Sequence, residues 1–386
     1  MLTSGIHFKN FKKNKKINNS QIKKKFSSLI NEKNYVLDSL KKNYRDNFSK
    51  KLINKYKKYS TFKVIGMGGS TLGTQTIYEF LKDTVKKDFV FIDNLRQKKL
   101  KIKNKKSVNL VVSKSGNTIE TVVNSHIYIK RGDKNIFITE NKNNYLLKLA
   151  NKLKAEIVHH NNYIGGRYSV LSEVGMLPAE LMGLNPNKFR QLNLLIKNKY
   201  FINNLMSGVS STLHYIKNKK YNSIILNYDE KSENLFKWYQ QLVAESLGKK
   251  SKGLLPIVSN MPKDNHSVMQ LYLDGFKNNF YTFFYTNELN SESIKNSQIL
   301  SSQKYLRGKN VSNIMYAQKI ATEKVFYKKK LPFRSFEIKK RNEKTLGELF
   351  CFFILETILI GKLLNVNPYD QPAVELIKKE TKKLLV

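Results

Sequence analysis

Short apolar runs alternate with helix-length segments through most of this 386-residue chain. Such alternation is typical of parallel sheets that are covered by helices on both faces, so the pattern predicts an α/β fold. The predicted strands fall into a first and a second series: 62–65, 89–92, 108–112, 135–139 and 155–159, followed by 223–227, 280–285 and 333–338.

Helical patterns separate these strands and dominate the end of the chain. Long helices are predicted over 200–220, 311–327, 345–364 and 374–384, and no strand is predicted before residue 60. The run 349–364 is strongly apolar but contains Glu356 and Lys362, so it indicates a buried helix and not a membrane span. The predicted division is a lysine-rich segment (1–60), two α/β domains (61–200 and 201–342) and C-terminal helices (343–386).

Charge is the unusual feature of the composition, because 70 Lys and Arg against 29 Asp and Glu give +41. Almost all of this charge is lysine, whereas arginine is the usual reader of base edges and phosphate forks. We therefore expect a solvated lysine surface, no specific nucleic acid partner and no membrane partner, with a functional polyanion surface as the alternative. Cys351 is the only cysteine, so a disulfide framework is excluded, and with no visible signal peptide a cytoplasmic location is expected.

The first candidate site is the sequence GMGGSTLG at 66–73, directly after a predicted strand. Glycines allow a close approach of the backbone to a ligand, and the following helix start offers free N–H groups to an anion. A dinucleotide fingerprint is excluded because Thr71 stands where it needs glycine, and a Walker loop is excluded because Thr74 stands where it needs lysine. A simple tight turn is the alternative.

The second candidate site is SKSGNTIET at 113–121, which also follows a predicted strand. Its hydroxyl groups, one ammonium group and a helix start could together bind a phosphate monoester. The alternative is an ordinary helix cap, in which Ser115 or Asn117 forms a capping box with Glu120.

Four further positions carry candidate chemistry. Arg167 follows two glycines and could bind an oxyanion, or form a surface salt bridge. Glu245 lies in the last turn of a predicted helix, where it could act as a base or pair with Lys249. His266 lies in a polar loop before a helix, and Lys378 lies on the terminal helix.

Taken in order, the motifs GMGGSTLG, SKSGNTIET, GGRYSVLSEVG, ESLGK, DNHSVMQ and YDQPAVELIK resemble the glucose-6-phosphate isomerase (phosphoglucose isomerase) family from Gly66 to Lys378. The resemblance implies two doubly wound parallel-sheet sugar-isomerase domains with additional C-terminal helices. It also implies a homodimer with shared active sites. The implied reaction interconverts glucose 6-phosphate and fructose 6-phosphate in glycolysis and gluconeogenesis, through ring opening and a cis-enediol(ate). No cofactor and no metal are expected.

The resemblance also assigns roles to residues. Glu245 matches the base that moves a proton between C1 and C2, and Arg167 would stabilise the oxyanion. His266, contributed by the neighbouring subunit, and Lys378 match the pair that assists ring opening. The residues that match phosphate or sugar contacts are Ser113, Lys114, Ser115, Thr118, Gly69, Ser70, Gln241 and Gln371. Glu120 matches a carboxylate that orients the histidine.

Two alternatives remain open at this point. A dual isomerase would also accept mannose 6-phosphate, because one glutamate could serve both C2 epimers. A non-catalytic sugar-phosphate sensor of the same fold would need the phosphate contacts but no proton carrier. The chain also departs from the family pattern at Pro372 and Ala373, although the spacing to Lys378 is kept.

Overall fold

Two five-stranded sheets form the frame of the protein in a computed structural model that describes residues 5–100, 106–288 and 290–386. Residues 1–4 of the predicted N-terminal segment lie outside the described residues. The strands are β1 (Ile6–Lys9), β2 (Thr61–Ile65), β3 (Asp88–Ile92), β4 (Ser107–Val112), β5 (Lys134–Glu140), β6 (Glu156–His160), β7 (Asn222–Tyr228), β8 (Leu255–Asn260), β9 (Asn279–Thr286) and β10 (Phe333–Ile338).

The first sheet has the order β3-β2-β4-β5-β6, and all neighbouring strands are parallel. The chain proceeds from β2 outward to β3, and then returns to the other side of β2 to form β4. The direction of winding therefore reverses between β2 and β4. In doubly wound sheets, ligands bind beyond the carboxyl ends of the strands at such a reversal point. All five strands predicted for this sheet are confirmed, each to within a few residues.

The second sheet has the order β1-β10-β9-β7-β8, with β7 to β10 parallel and β1 antiparallel to β10. The prediction of no strand before residue 60 is wrong, because β1 pairs Ile6 with Ile338. The strand β8 was also not predicted. It contains Pro256, which lacks an N–H group, and it lies at the edge of the sheet, where proline is tolerated.

Helices cover both sheets. They are α1 (Asn19–Asn31), α2 (Tyr35–Ser39), α3 (Lys50–Tyr56), α4 (Leu72–Phe80), α5 (Ile119–Tyr128), α6 (Tyr145–Lys152), α7 (Glu173–Leu181), α8 (Pro186–Phe189), α9 (Leu192–Leu195), α10 (Lys199–Lys217), α11 (Glu233–Leu247), α12 (Met269–Asp274), α13 (Val311–Lys328), α14 (Glu343–Leu363) and α15 (Val374–Leu384). The four long helices predicted from the sequence correspond to α10, α13, α14 and α15. The fold class is therefore confirmed as α/β with two doubly wound sheets and C-terminal helices, while the domain boundaries stay a prediction.

The helix α14 forms the centre of the molecule, since every residue from Thr345 to Gly361 is buried. It packs against α1, α8, α10 and α11, which belong to different parts of the chain. Its charged Glu356 is neutralised by the buried Arg334, whose Nη2 donates to Glu356 Oε2 at 2.9 Å. Among the described residues, no helix is both long and apolar enough to cross a membrane.

Candidate active site

Both candidate loops lie at the reversal point of the first sheet. Gly66 directly follows β2, and Ser113 directly follows β4, the neighbouring strand. The two backbones approach so closely that a Cβ atom on Gly66 would lie 2.8 Å from the carbonyl oxygen of Val112. The order of strands in the sheet therefore brings the glycine-rich loop and the hydroxyl-rich loop to one crevice, where α/β proteins bind ligands.

The loop 113–118, called the cradle below, presents hydroxyl groups and the start of α5 to the crevice. The hydroxyl groups of Ser113 and Thr118 lie 2.9 Å apart, and the Gly116 N–H donates to Ser113 Oγ at 3.2 Å. Gly116 adopts a positive φ of 66°, where a side chain would collide with Asn144. Burial lowers the pKa of Lys114, and the nearby Glu140 does not fully offset this effect. A negative charge beside the ammonium group would favour its charged form.

The capping-box alternative for this loop is wrong. The helix α5 begins at Ile119 with Thr118 as its N-cap, and no side chain caps the helix there. Ser115 Oγ accepts from the Asn117 N–H at 3.4 Å, and Asn117 Oδ1 accepts from the Tyr145 N–H at 3.0 Å. The first turn of α5 therefore keeps its N–H groups available to a ligand, which favours an anion at this end of the helix.

The glycine-rich loop joins this cradle to the second half of the site. A Cβ atom on Gly69 would lie 2.2 Å from the carbonyl carbon of Gly166 and 2.5 Å from the Arg167 nitrogen. Gly68 has a positive φ of 52° and faces Gln241 on α11. Only glycine permits these contacts, so 66–70 holds the Arg167 loop and α11 directly beside the cradle.

Arg167 is buried, with 1% of its side chain exposed, and its guanidinium organises the site. It donates to Glu245 Oε2 (3.1 Å), Ser246 Oγ (2.8 Å), Gln371 Oε1 (2.7 Å) and the carbonyl oxygens of Pro368 (2.7 Å) and Asp370 (3.0 Å). The surface salt bridge that local sequence allowed for this arginine is therefore wrong. The planar, permanently charged group fixes one carboxylate and the C-terminal segment at the same time.

Glu245 is the exposed end of this network. Gln241 Nε2 donates to Glu245 Oε1 at 2.8 Å, and 29% of the Glu245 side chain remains accessible. The carboxylate borders a cavity of about 640 Å³ that Asp370, Gln371 and Val374 also line. Lys249 forms an ion pair with Asp370 at 2.9 Å instead of pairing with Glu245, so that alternative is wrong.

Sequence reasoning missed the residues that hold Arg167 in place. The Trp238 indole nitrogen donates to the Arg167 carbonyl oxygen at 3.0 Å, and the Tyr168 hydroxyl lies 2.8 Å from Ser246 Oγ. Tyr168 also donates to the Pro368 carbonyl oxygen at 2.9 Å, and burial raises the pKa of its hydroxyl, which keeps it a neutral donor. The sequence features that could have pointed to these residues are the single tryptophan of the chain and the motif GGRYS.

Three predicted site residues are not brought to this network within one chain. His266 lies exposed beyond β8, and its side chain makes no hydrogen bond within the described residues. Lys378 is 62% exposed on α15 and pairs with Glu375 at 2.6 Å. Glu120 lies in the first turn of α5, and its carboxylate has no hydrogen bond or ion pair in the described part of the chain.

At the reversal point of the second sheet, between β7 and β9, the structure places an internal ion pair. Asp229, which directly follows β7, accepts from Arg341 Nη2 at 2.7 Å and from the Thr286 hydroxyl at 3.1 Å. This ion pair has the place, directly after β7, that the glycine-rich loop has directly after β2 in the first sheet. Within residues 5–100, 106–288 and 290–386, no group of three His, Cys, Asp or Glu side chains could hold a metal ion.

Two doubly wound sheets with an arginine-bound glutamate near the reversal point of the first are the arrangement expected for the sugar-phosphate isomerase class. A family model described as Phosphoglucose isomerase matches residues 14–260, which is more than half of the chain. The chain belongs to the phosphoglucose isomerase family.

Relatives support this assignment over most of the chain. Glucose-6-phosphate isomerase of Methanocaldococcus jannaschii is 33% identical over 371 residues, with 87% of this chain and 88% of the relative covered. The enzyme of the same name from Mycoplasmopsis pulmonis is 32% identical over 350 residues, with 83% and 82% covered.

Solved structures share the fold. A hypothetical protein from Thermus thermophilus matches with a TM-score of 0.83 and 22% identity, covering 95% of both chains. A glucose-6-phosphate isomerase from Chlamydia trachomatis matches with a TM-score of 0.69 and 17% identity, covering 91% of this chain and 77% of that one.

Proposed function

We propose that this protein is an aldose-ketose isomerase that interconverts glucose 6-phosphate and fructose 6-phosphate in the cytoplasm, without a metal ion. Family membership supports the reaction. The observation that carries the proposal is the Arg167–Glu245 pair, because it combines a buried permanent cation with an accessible carboxylate beside a phosphate cradle. A sensor would need the cradle alone.

Glu245 is proposed to carry the proton between C1 and C2 of the open-chain sugar. Its Oε1 and Oε2 are fixed by Gln241 and Arg167, so the carboxylate is oriented before the substrate arrives. As the proton leaves the carbon, negative charge develops on the neighbouring carbonyl oxygen. Arg167 would stabilise this charge in the cis-enediol(ate), a type of interaction that contributes several kcal/mol in other enzymes, about 2.7–4 for one donor.

The substrate phosphate is proposed to lie in the cradle. The hydroxyl groups of Ser113, Ser115 and Thr118 and the first N–H groups of α5 would donate to its oxygens. Lys114 would add a charge that is now only partly compensated. The sugar would then extend past Gly69 and Ser70 toward Gln241, Gln371 and Glu245, since Gly69 contacts the Arg167 loop directly.

His266 and Lys378 are proposed to assist ring opening, although they lie apart from Glu245 in the single chain. Pro372, Ala373 and Val374 line the Glu245 cavity, so the terminal helix that bears Lys378 starts at the edge of the site. A Lys378→Met substitution should slow the conversion of cyclic substrate while sparing binding of a phosphorylated sugar acid. Equal activity of the variant and the natural protein would remove Lys378 from the proposal.

A homodimer with shared sites is proposed on the basis of the exposed face of α5. Ile119, Val123 and Ile127 recur at a spacing of four residues and remain 37–41% exposed. An apolar helical stripe of this kind favours burial against a protein surface. It begins immediately after the cradle and beside Glu120, so a second subunit seated here would reach the site and could present its own His266.

Subunit mixing tests this shared arrangement. Glu245→Gln and His266→Ala variants are unfolded and refolded together. If His266 acts across the interface, mixed dimers contain one intact site, and roughly a quarter of the natural activity on cyclic substrate should return. Activity no greater than the average of the two variants would place His266 in its own subunit's site or outside catalysis.

The central assay uses the purified protein with EDTA present. Fructose 6-phosphate should be converted to glucose 6-phosphate, and activity should persist after chelation. A parallel assay with mannose 6-phosphate distinguishes the dual isomerase, which would convert both substrates. Binding without turnover would favour the sensor, and loss of activity on chelation that a divalent ion restores would contradict the metal-free mechanism.

A further inference from the structure

A second cavity, of about 450 Å³, lies at the opposite end of the second sheet from its carboxyl edge. The residues around it precede three strands: Lys220 precedes β7, Lys277 precedes β9, and Pro332 precedes β10. The end of α10 and the end of α13 complete the walls. The cavity is therefore separate from the crevice of the first sheet, and its volume falls in the range of about 300–1,000 Å³ that is usual for small-molecule sites.

The cavity is lined by positive charge. Lys220, Lys277, Lys329 and Lys330 border it together with His214, and no Asp or Glu is among the described residues that line it. Lys329 lies 3.9 Å from the exposed Asp274, at the outer limit of an ion pair, and the other three lysines have no carboxylate partner in the described ranges. The Lys220 ammonium donates to the backbone carbonyl of Lys277.

Two cationic groups of this cavity are disfavoured in their charged forms by burial and by neighbouring positive charge. The pKa of Lys220 is lowered, first by burial and then by the charge of Lys277. The pKa of His214 is lowered by burial and then by Lys16 and Lys217. Both shifts mean that the charged forms are disfavoured as the site stands, and a bound anion would reverse this.

The backbone holds these lysines in place. Lys219 and Lys330 adopt positive φ values of 57° and 56°, which are uncommon for residues other than glycine. The turn at Lys219 is closed by the Lys220 N–H, which donates to the Tyr215 carbonyl oxygen at 2.9 Å. The strand start is fixed by the Tyr281 N–H, which donates to the Pro332 carbonyl oxygen at 3.0 Å. The charges are thus presented by ordered turns and not by a free tail.

We propose that this cavity binds the polyphosphate chain of a small molecule. Four lysines from three separate parts of the chain, with no carboxylate among the described lining residues, suit an extended anion with several charges better than a single phosphate. The source of the chain could be a nucleoside triphosphate or inorganic tripolyphosphate. The aromatic side chain of Phe276, which is 53% exposed beside Lys277, provides a surface for a base in the first case.

Calorimetric titration of the full-length protein with tripolyphosphate tests the proposal at about 0.15 M salt, which screens diffuse attraction. Saturating fructose 6-phosphate keeps the cradle occupied. The double variant Lys220→Gln/Lys277→Gln is compared with Lys148→Gln/Lys152→Gln, which removes the same charge from exposed positions on α6. Lys329→Gln/Lys330→Gln is a second cavity variant if the first does not fold.

One saturable site is expected in the natural protein. The cavity variant should bind tripolyphosphate with a Kd at least about tenfold higher, as expected for lost charge-assisted contacts. The Kd of the α6 variant should rise by less than about twofold. If ATP binds more tightly than tripolyphosphate and the Phe276→Ala variant loses this difference in affinity, the ligand is a nucleotide. If the two bind equally, the cavity recognises the phosphate chain alone. Equal losses in both double variants, or no saturable binding, would overturn the proposal. The comparison of variants does not require isomerase activity, so the two proposals can fail independently.

Discussion

At the scale of single residues, the site depends on one arginine among eight in the chain. Arg167 Nη1 donates to both Glu245 and Gln371, and Nε of the same rigid planar group donates to Ser246. Lysine would keep the charge, but its single ammonium group cannot donate hydrogen bonds to all these partners at once. Because lysine is so abundant in this protein, an arginine at this position indicates that the planar guanidinium group itself is needed.

An Arg167→Lys substitution should lower kcat by about 10² to 10³-fold, because transition-state charge loses an oriented donor. The matched control is Arg190→Lys. Arg190 is equally buried and forms a two-pronged pair with Asp46, with oxygens at 2.6 and 2.9 Å, but it lies outside the network around Glu245. The control should lower the melting temperature while leaving kcat within a few-fold of the natural value. Similar kcat losses in both variants would mean that Arg167 acts through stability alone.

The sequence could predict Arg167 and Glu245 as site residues, but not what holds them. Their motifs match a family, whereas the carbonyl oxygens of Pro368 and Asp370 are backbone groups with no residue signature. Local spacing also favoured a Glu245–Lys249 pair that does not form. Lys249 is drawn to Asp370, a residue distant in sequence, and this hydrogen-bonded ion pair lowers the pKa of the Asp370 carboxyl.

At the scale of elements, the contact between two loops unites the site. The glycine-rich loop follows β2, while the Arg167 loop follows β6 at the edge of the same sheet. The absence of a side chain at Gly69 allows the two backbones to touch. This contact sets the distance between the loop 113–118 and the Arg167–Glu245 pair.

A Gly69→Ala substitution should separate the loops, because its Cβ atom would lie 2.2 Å from the Gly166 carbonyl carbon. We expect a loss of about 1–3 kcal/mol in the free energy of unfolding and a lower kcat/KM. Gly166→Ala is the matched control on the facing loop, since its Cβ atom would meet the nearest atom at an ordinary 3.6 Å. Urea unfolding and steady-state kinetics would measure both. If Gly69→Ala is as well tolerated as Gly166→Ala, the close contact is not required.

The elements that sequence patterns missed are the two edge strands of the second sheet. β1 contains only four residues, too few for the alternation of Ile6 and Phe8 with His7 and Lys9 to be distinguished from chance. β8 contains a proline, which argues against a strand unless its edge position is known. Central strands were predictable because burial on both faces requires continuous apolar runs.

At the scale of the whole molecule, α14 joins helices from different parts of the chain through an almost wholly buried surface, which contains a second carboxyl besides Glu356. Glu348 is 2% exposed, and its Oε1 has no hydrogen-bond partner among the residues that the structure describes. Burial raises its pKa from 4.5 to about 8. The folded state therefore binds more protons than the unfolded state between these values, and stability contributed by this group falls as the pH rises.

Glu348→Gln should abolish this pH dependence because glutamine has the shape of the protonated acid. The free energy of unfolding of the variant, relative to that of the natural protein, should increase by several kcal/mol between about pH 5 and pH 8.5. This expectation follows because each unit of pKa shift corresponds to about 1.4 kcal/mol. Urea unfolding across this range would measure it. Glu356→Gln on the same helix is the control, and it should be destabilising throughout because it leaves Arg334 buried without its partner. A constant difference between Glu348→Gln and the natural protein would contradict the assignment.

Solvent hydrogen exchange at C2 of the substrate in the Glu245→Gln variant decides whether Glu245 carries the proton between C1 and C2. The substitution keeps the shape of the side chain and much of its hydrogen bonding to Gln241, but it removes the base. Exchange and kcat should both fall by about 10⁴-fold or more, while a phosphorylated sugar acid still binds. Exchange at the rate of the natural protein would place the base on another residue.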